Sequence, residues 1–138
     1  MSTTRWLPSA AIALLTAWTA WSERHVLVQA VAVLLLGLTA AWWVSPLNGR
    51  GGPRQRDVEG TDRVVVYWRP GCIFCIRLRG ALGRDRRKAR WVSIWADEEA
   101  AAYVRSVNGG NETVPTVVID GTPHTNPDPT LVRAALTS

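Results

Sequence analysis

The sequence predicts a small α/β domain of order βαβαββα with a mixed four-stranded sheet, preceded by an apolar N-terminal segment. Three observations predict this class. Short runs of β-branched and aromatic residues alternate with runs of helical periodicity. Charge is unevenly distributed, because residues 1–44 hold only three charged side chains but five of the eight Trp. The two cysteines, separated by two residues, lie where a predicted strand gives way to a predicted helix.

Composition narrows the possible functional classes. With 47% hydrophobic and 20% charged residues, the chain is too apolar to be disordered. Two cysteines are too few for a disulfide-stapled secreted scaffold or a four-cysteine zinc site. The net charge of +5 comes almost entirely from Arg, with its densest run at residues 84–90. Cations at the C-terminal end of a helix interact favourably with its dipole, so we predict no nucleic-acid partner.

The first 44 residues are predicted to form a membrane anchor. Residues 26–44 carry no charge, and as a helix they would extend about 28 Å, close to the thickness of a bilayer's hydrocarbon core. Residues 7–21 are also apolar or small, although this run is short for a span. Trp residues near the ends of both runs suit membrane interfaces. The prediction is therefore two spans, residues 6–22 and 26–44, joined by a polar turn.

Two alternatives stay open for this segment: a single span and a cleaved signal peptide. The signal peptide is disfavoured because no small-residue cleavage motif follows residues 7–21, where bulky Trp residues crowd the end. Arg50, Arg54 and Arg56 follow the second run, and positive residues favour the cytoplasmic side. We therefore expect a two-span protein of the cell membrane, in contact with lipid, whose C-terminal domain is cytoplasmic.

Residues 45–61 are predicted to be a flexible tether, because they are rich in Gly, Pro and Arg and have no hydrophobic period. Residues 62–138 then form the α/β domain. Its first strand is the buried β-branched and aromatic run at residues 63–68, which a Pro-Gly pair ends. A helix begins at Cys72, where apolar residues start to recur at helical spacing. Residues 91–95 form the second strand, parallel to the first because a helix connects them.

The second half of the domain is predicted to be a helix, a hairpin and a last helix. Residues 97–107 begin with three acidic side chains, which the positive end of a helix favours, and an Asn-Gly-Gly-Asn run follows them. Residues 116–120 form the third strand, and residues 124–125 belong to a short fourth strand. Residues 128–136 fit a final helix with a polar residue near its N-cap.

Cys72 and Cys75 are the candidate catalytic pair. Thiol–disulfide exchange requires a thiolate, and a free cysteine is mostly protonated at neutral pH. The N-terminus of a helix offers unpaired N–H groups and a positive pole, and both stabilise a thiolate. Cys72, at the open end of the helix, is the predicted nucleophile. Cys75, one turn further, is the predicted resolving thiol.

Other uses of the two cysteines fit less well. Structural zinc takes four ligands, and only His25 and His124 could complete such a set, with His25 in the predicted membrane turn. A structural disulfide across so short a loop would restrict the unfolded chain little. We therefore expect no bound metal or cofactor.

A second motif, Thr113-Val114-Pro115, directly precedes the third strand. Proline cannot donate a ladder hydrogen bond, so it belongs at the start of a strand. A cis bond between Val114 and Pro115 would turn the backbone groups of Val114 outward, where a substrate could pair with them. Cis is the minority state of an X–Pro bond, so the motif alone does not predict it.

These motifs together resemble the glutaredoxin family, and most closely the actinobacterial mycoredoxins. The resemblance covers about residues 62–138, and it rests on three motifs in order: residues 67–75 (YWRPGCIFC), 113–115 (TVP) and 125–127 (TNP). It implies a thioredoxin fold.

For the site, the resemblance implies Cys72 as nucleophile and a cis Pro115. It also implies that Val114 and the loop at Thr125 and Asn126 line a groove for a low-molecular-weight thiol. That thiol, mycothiol or glutathione, acts as co-substrate in the reduction of proteins that carry mixed disulfides.

The sequence departs from this family in two places. Ile73 and Phe74 separate the cysteines, where such proteins commonly carry Gly-Tyr or Pro-Tyr, and the predicted membrane segment is outside the family's usual small soluble form. We expect a membrane-anchored thiol–disulfide oxidoreductase that uses Cys72 alone or both cysteines. Two alternatives remain: a dimer holding a [2Fe–2S] cluster through Cys72 and an external thiol, and an extracytoplasmic dithiol oxidase if the topology is reversed.

Overall fold

The computed structural model describes residues 7–22, 26–45, 47–60 and 63–137 of the chain. Two compact units divide the chain, residues 1–48 and residues 49–138.

The first unit contains helices α1 (Leu7–Ser22) and α2 (Leu27–Trp43). Small residues form their interface: Gly37 of α2 is buried, and a Cβ added there would collide with the Thr16 side chain of α1. Small residues allow two helix backbones to approach closely. Large apolar side chains on the outer faces are instead exposed, among them Leu14, Trp18, Val28 and Leu36.

No helix in the described part of the chain combines the length and the hydropathy of a membrane span. Helices α1 and α2 have 16 and 17 residues, which at 1.5 Å per residue is shorter than a hydrocarbon core of about 30 Å. The predicted spans at residues 6–22 and 26–44 are therefore not supported as membrane helices. The polar turn was predicted at residues 22–25, of which Ser22 is the last residue of α1. Trp6 and residues 23–25 lie outside the described residues.

The predicted tether at residues 45–61 differs from the structure in its second half. Residues 49–60, which we call the strap, belong to the second unit and contain helix α3 (Gln55–Val58). Val58 is buried in the core of that unit. The Gln55 N–H donates to the Asp97 carboxylate at 2.7 Å, and the Tyr67 hydroxyl donates to the Gln55 side-chain oxygen at 2.7 Å. Composition could not reveal this docking, because its partners lie far along the chain.

The second unit is built on a four-stranded sheet of order β2-β1-β3-β4. The strands are β1 (Val64–Trp68), β2 (Arg90–Ser93), β3 (Thr116–Ile119) and β4 (Thr122–Thr125). Strands β1 and β2 are parallel, whereas β3 is antiparallel to both β1 and β4. The predicted βαβ unit and hairpin are thus confirmed. The second strand ends two residues earlier than predicted, and the fourth begins two residues earlier.

Helices cover both faces of this sheet. Helices α4 (Ile73–Leu82) and α6 (Pro129–Thr137) share one apolar cluster with β1 and β3, while α5 (Glu98–Val107) and the strap share the other. The Asp97 side chain caps α5 by accepting the Glu99 N–H at 3.1 Å. A short 3-10 helix (Asp85–Lys88) connects α4 to β2. Because α4 follows β1 directly, its N-terminus lies beside the C-terminal end of the central strand.

Candidate active site

Cys72 is the N-cap residue of α4, and its extended backbone places its sulfur over the first turn. The Cys75 N–H donates a hydrogen bond to Cys72 Sγ at 3.2 Å. The N–H groups of a first helical turn have no partner within the helix, so this contact directs one of them at the sulfur. The same contact would stabilise negative charge on that sulfur.

The turn before Cys72 explains how the chain reaches this position. Strand β1 ends at Trp68, and Gly71 adopts a positive φ of 74°. Residues with a side chain rarely adopt this conformation. The Cys72 N–H then bonds the Arg69 carbonyl at 3.4 Å, so the turn closes directly at the nucleophile.

The two cysteines form a disulfide, with Cα atoms 5.3 Å apart. Cys72 is 9% exposed and Cys75 is 3% exposed. Cys72 is therefore the more accessible of the two to a substrate, whereas Cys75 is buried within the first turn of α4.

The Val114–Pro115 segment faces this pair. The Val114 carbonyl oxygen lies 3.5 Å from Cys72 Sγ, and the Val114–Pro115 peptide bond is cis, as the family resemblance implies. We use "active-site edge" for Cys72, Cys75 and residues 113–116. The structure thus brings together residues that are about 40 positions apart in the sequence.

Asn108 holds the active-site edge in place and was not among the predicted site residues. Its side-chain N–H₂ donates to the Val104 carbonyl at 2.8 Å and to Thr116 Oγ1 at 3.0 Å. Its side-chain oxygen accepts from Thr125 Oγ1 at 2.5 Å. The sequence identified this Asn only as part of the run that ends α5, and that local signal gives no information on contacts to two strands.

The other predicted residues take supporting positions. The Thr113 carbonyl accepts from Thr116 Oγ1 at 2.8 Å, and the Asn126 N–H donates to the Pro115 carbonyl at 2.8 Å. Asn126 has a positive φ of 46°, a conformation that Asn tolerates better than most residues. The Thr125 hydroxyl and the Asn126 N–H are therefore already used in hydrogen bonds to Asn108 and Pro115. The Asn126 side chain is instead exposed to solvent.

Comparison with known proteins agrees with this geometry. The family model described as Glutaredoxin matches residues 64–124. A Mycobacterium tuberculosis protein named "Putative glutaredoxin" is 43% identical over 77 residues, which are 55% of this chain and 92% of that protein. Mycoredoxin 1 of Corynebacterium glutamicum is 42% identical over 67 residues, which are 48% of this chain and 82% of that protein.

The chain belongs to the glutaredoxin family. It is a thiol–disulfide oxidoreductase, and its mixed four-stranded sheet with helices fits the thioredoxin-like fold of a glutaredoxin domain. Proteins of this family act on thiol-containing partners and low-molecular-weight thiols.

Part of the surface around the cysteines of this glutaredoxin domain is apolar. Ile73, Phe74 and Ile76 are each about half exposed, on the outward side of the first turns of α4. The Arg77 guanidinium lies 5.8 Å from the Phe74 ring centre, within range of a cation–π contact. Phe74 thus offers an aromatic face next to Cys72 but no hydroxyl.

Metal binding finds no support in the part of the chain that the structure describes. No group of three or more His, Cys, Asp or Glu side chains is placed there to hold an ion.

Proposed function

We propose that this protein reduces mixed disulfides between proteins and a low-molecular-weight thiol, with Cys72 as nucleophile. The observation that carries the proposal is the N-cap position of Cys72, whose sulfur accepts the Cys75 N–H at 3.2 Å. A thiolate is the reactive species in exchange, and this contact favours it. The lower exposure of Cys75 fits a resolving role.

The proposed reaction proceeds in two exchanges. The Cys72 thiolate attacks the small-thiol sulfur of the mixed disulfide, a new S–S bond forms to Cys72, and the client protein leaves as a thiolate that takes up a proton. A second small thiol, as its thiolate, then attacks the Cys72 adduct. It leaves as the oxidised small-thiol disulfide, and the Cys72 thiolate is regenerated.

A dithiol route uses the same first step. Cys75 then attacks Cys72, the small thiol leaves, and the Cys72–Cys75 disulfide forms. That disulfide takes two electrons from a thiol reductant to restore both cysteines. The 5.3 Å separation of the two Cα atoms lies within the usual range for a disulfide and supports this route as an available branch.

Mycothiol is the small thiol that we propose first, and glutathione second. Support comes from the similarity to mycoredoxin 1 and from the residues that would line the thiol groove. Those residues are Thr113, Val114, Pro115, Thr125 and Asn126. Among them, the exposed Asn126 side chain is the one we propose to contact the thiol directly. No bound cofactor enters this proposal.

Matched serine variants test the nucleophile and the route. We expect Cys72→Ser to lose all reduction of a peptide–mycothiol mixed disulfide, because no other sulfur occupies the N-cap. We expect Cys75→Ser to keep the activity if the small thiol resolves the adduct. Activity in Cys72→Ser would refute the proposal. Loss of activity in Cys75→Ser, which keeps the Cys72 nucleophile, would assign the dithiol route. Comparing peptide–glutathione with peptide–mycothiol substrates gives the thiol preference.

We further propose that the first unit attaches the protein to the cell membrane with the glutaredoxin domain in the cytoplasm. Support comes from the uncharged residues 26–44, from exposed Trp and Leu side chains on α1 and α2, and from the three Arg at positions 50, 54 and 56. Membrane fractionation of the full chain against a chain lacking residues 1–48 tests attachment. A reporter fused after residue 138 tests the side, and recovery of the full chain in the soluble fraction would refute the proposal.

A further inference from the structure

A cavity of about 440 Å³ lies at the free edge of β2, away from the residues assigned to the redox reaction. Its walls are the strap residues Gly49, Gly51, Gly52 and Pro53, the rings of Trp68 and Trp91, and the side chains of Arg79 and Arg90. Both charged side chains among the described lining residues are cationic, and none of those residues carries a carboxylate. An anion is therefore the kind of group that the cavity suits.

The Arg79 guanidinium is held on two aromatic rings. Its central carbon lies 4.8 Å from the Trp68 ring centre and 4.5 Å from that of Trp91. Such stacking fixes the plane of the guanidinium and leaves its N–H edge available. Within the described residues, no carboxylate pairs with Arg79 and no hydrogen bond uses its N–H groups. Burial, and secondarily the nearby Arg86, lower the pKa of Arg79, so a bound anion would relieve an unfavourable environment.

Two more polar groups beside the cavity lack partners. Among the described residues, Trp68 Nε1 and Ser93 Oγ are the buried side-chain polar atoms without a hydrogen bond. Both are next to Gly49, because a Cβ there would lie 2.8 Å from Ser93 Oγ and 3.5 Å from Trp68 Cζ2. A side chain at this position would collide with Ser93, so glycine allows the strap to pack directly against Ser93 and Trp68. Buried polar groups without a partner are rare in native proteins and call for an explanation.

We propose that this cavity is a binding site for a phosphate ester group. The Arg79 fork supplies paired donors and Arg90 adds a second positive charge to the lining, while the Trp68 indole N–H and the Ser93 hydroxyl lie buried behind it. A phosphate ester can carry two negative charges to match the two cations, whereas a carboxylate carries one. Arginine matches phosphate geometry with paired hydrogen bonds. Two sources share this chemistry: a free phosphate ester metabolite and a phospholipid headgroup.

The Trp68 indole resonance reports on the site directly. The full-length chain is labelled with ¹⁵N in an uncharged detergent, and the Trp68 signal is assigned by its loss in Trp68→Phe. Inorganic phosphate and glycerol 3-phosphate form one titration arm; short-chain phosphatidylglycerol, against short-chain phosphatidylcholine in the same micelles, forms the other. We expect a saturable shift in at least one arm, and the arm that responds identifies the source.

Charge-matched variants separate a built site from a diffuse basic surface. Removing paired charged hydrogen bonds in Arg79→Gln should weaken binding at least about tenfold, whereas Arg87→Gln, which removes an exposed charge outside the cavity, should change it less than about twofold. Redox activity of Arg79→Gln should be unchanged. If Arg79→Gln does not fold, Arg79→Lys is compared with Arg87→Lys, and only the former should weaken binding. No saturable shift in either arm, or equal weakening by the paired variants, would overturn the proposal.

Discussion

Polar contacts hold both the active-site edge and the strap in place, but the two sets of contacts have different roles. At the active-site edge, Cys72 bonds Cys75 three residues away and Asn108 bonds Thr116 eight residues away. In the strap, Gln55 bonds Asp97, 42 residues away. The first set fixes the groups around the nucleophile, and the second fixes the strap against β1 and the start of α5. Mutations in the two regions should therefore separate catalytic activity from stability.

Asn108→Ala should have the largest effect, because it acts on both properties. Without the Asn side chain, Thr125 loses its acceptor and Thr116 loses a donor. We expect the free energy of unfolding to fall by about 1–3 kcal/mol. Since Thr116 lies next to Pro115, kcat/KM for a mixed disulfide should also fall, by roughly tenfold. Denaturant unfolding and steady-state kinetics measure the two effects.

The control for this variant is Asn111→Ala. Asn111 is exposed, and its side chain donates only one long bond, 3.3 Å to the Asn108 carbonyl. We expect both measurements to stay near those of the unmodified chain. If Asn108→Ala behaved like Asn111→Ala, the network would not position the active-site edge.

Tyr67→Phe should have a smaller effect, on stability alone. Burial raises the pKa of Tyr67, as does the neighbouring Tyr103, so its hydroxyl stays protonated and donates to Gln55 at neutral pH. Removing the hydroxyl leaves the buried Gln55 oxygen unpaired and should cost about 1–2 kcal/mol of unfolding free energy. Tyr103→Phe is the matched control, because no hydrogen bond from the Tyr103 hydroxyl occurs in the described part of the chain. If kcat/KM of Tyr67→Phe fell at temperatures where the variant is fully folded, the strap would also affect the active-site edge.

Local patterns were sufficient to predict most of the domain. The β-branched run of β1, the acidic start of α5 and the proline before β3 each reflect a preference that acts within a few residues. The parallel pairing of β1 with β2 followed from the helix between them. Strand ends were less exact, because pairing with a neighbouring strand decides where β2 stops and where β4 begins.

Contacts between distant residues account for what the sequence could not predict. Cys72 was recognisable because its partner is one turn away, whereas Asn108 looked like an ordinary helix terminus. The strap was predicted to be a tether because Gly, Pro and Arg dominate its composition. Its docking depends on the buried residues Gln55 and Val58, which composition does not single out. Hydropathy and the Trp positions predicted two membrane spans, but neither α1 nor α2 has the length of a membrane-spanning helix.

Replacing Asp128 should have the smallest effect, and it tests hydrogen bonds between residues that are neighbours in the sequence. It lies before α6, and its carboxylate accepts bonds from the Thr130 hydroxyl at 2.6 Å and the Thr130 N–H at 2.8 Å. These two bonds lower the pKa of Asp128 below its usual value of 3.8. A carboxyl whose pKa is lower in the folded state stabilises that state above its unfolded pKa, and the contribution disappears as pH falls through the folded pKa.

The Tm advantage of the unmodified chain over Asp128→Asn should therefore be largest near neutral pH and shrink as pH falls below the usual carboxyl pKa, because Asn can accept the same bonds but carries no charge. Thr130→Val removes the hydroxyl hydrogen bond, which is the stronger of the two causes of the lowered pKa. An NMR titration of the Asp128 carboxyl should therefore show its pKa moving back toward the usual value. A Tm difference that does not vary with pH would mean that the carboxylate acts as a neutral cap. In that case the α6 terminus would resemble the neutral Tyr67–Gln55 hydrogen bond of the strap, where geometry rather than charge decides the contact.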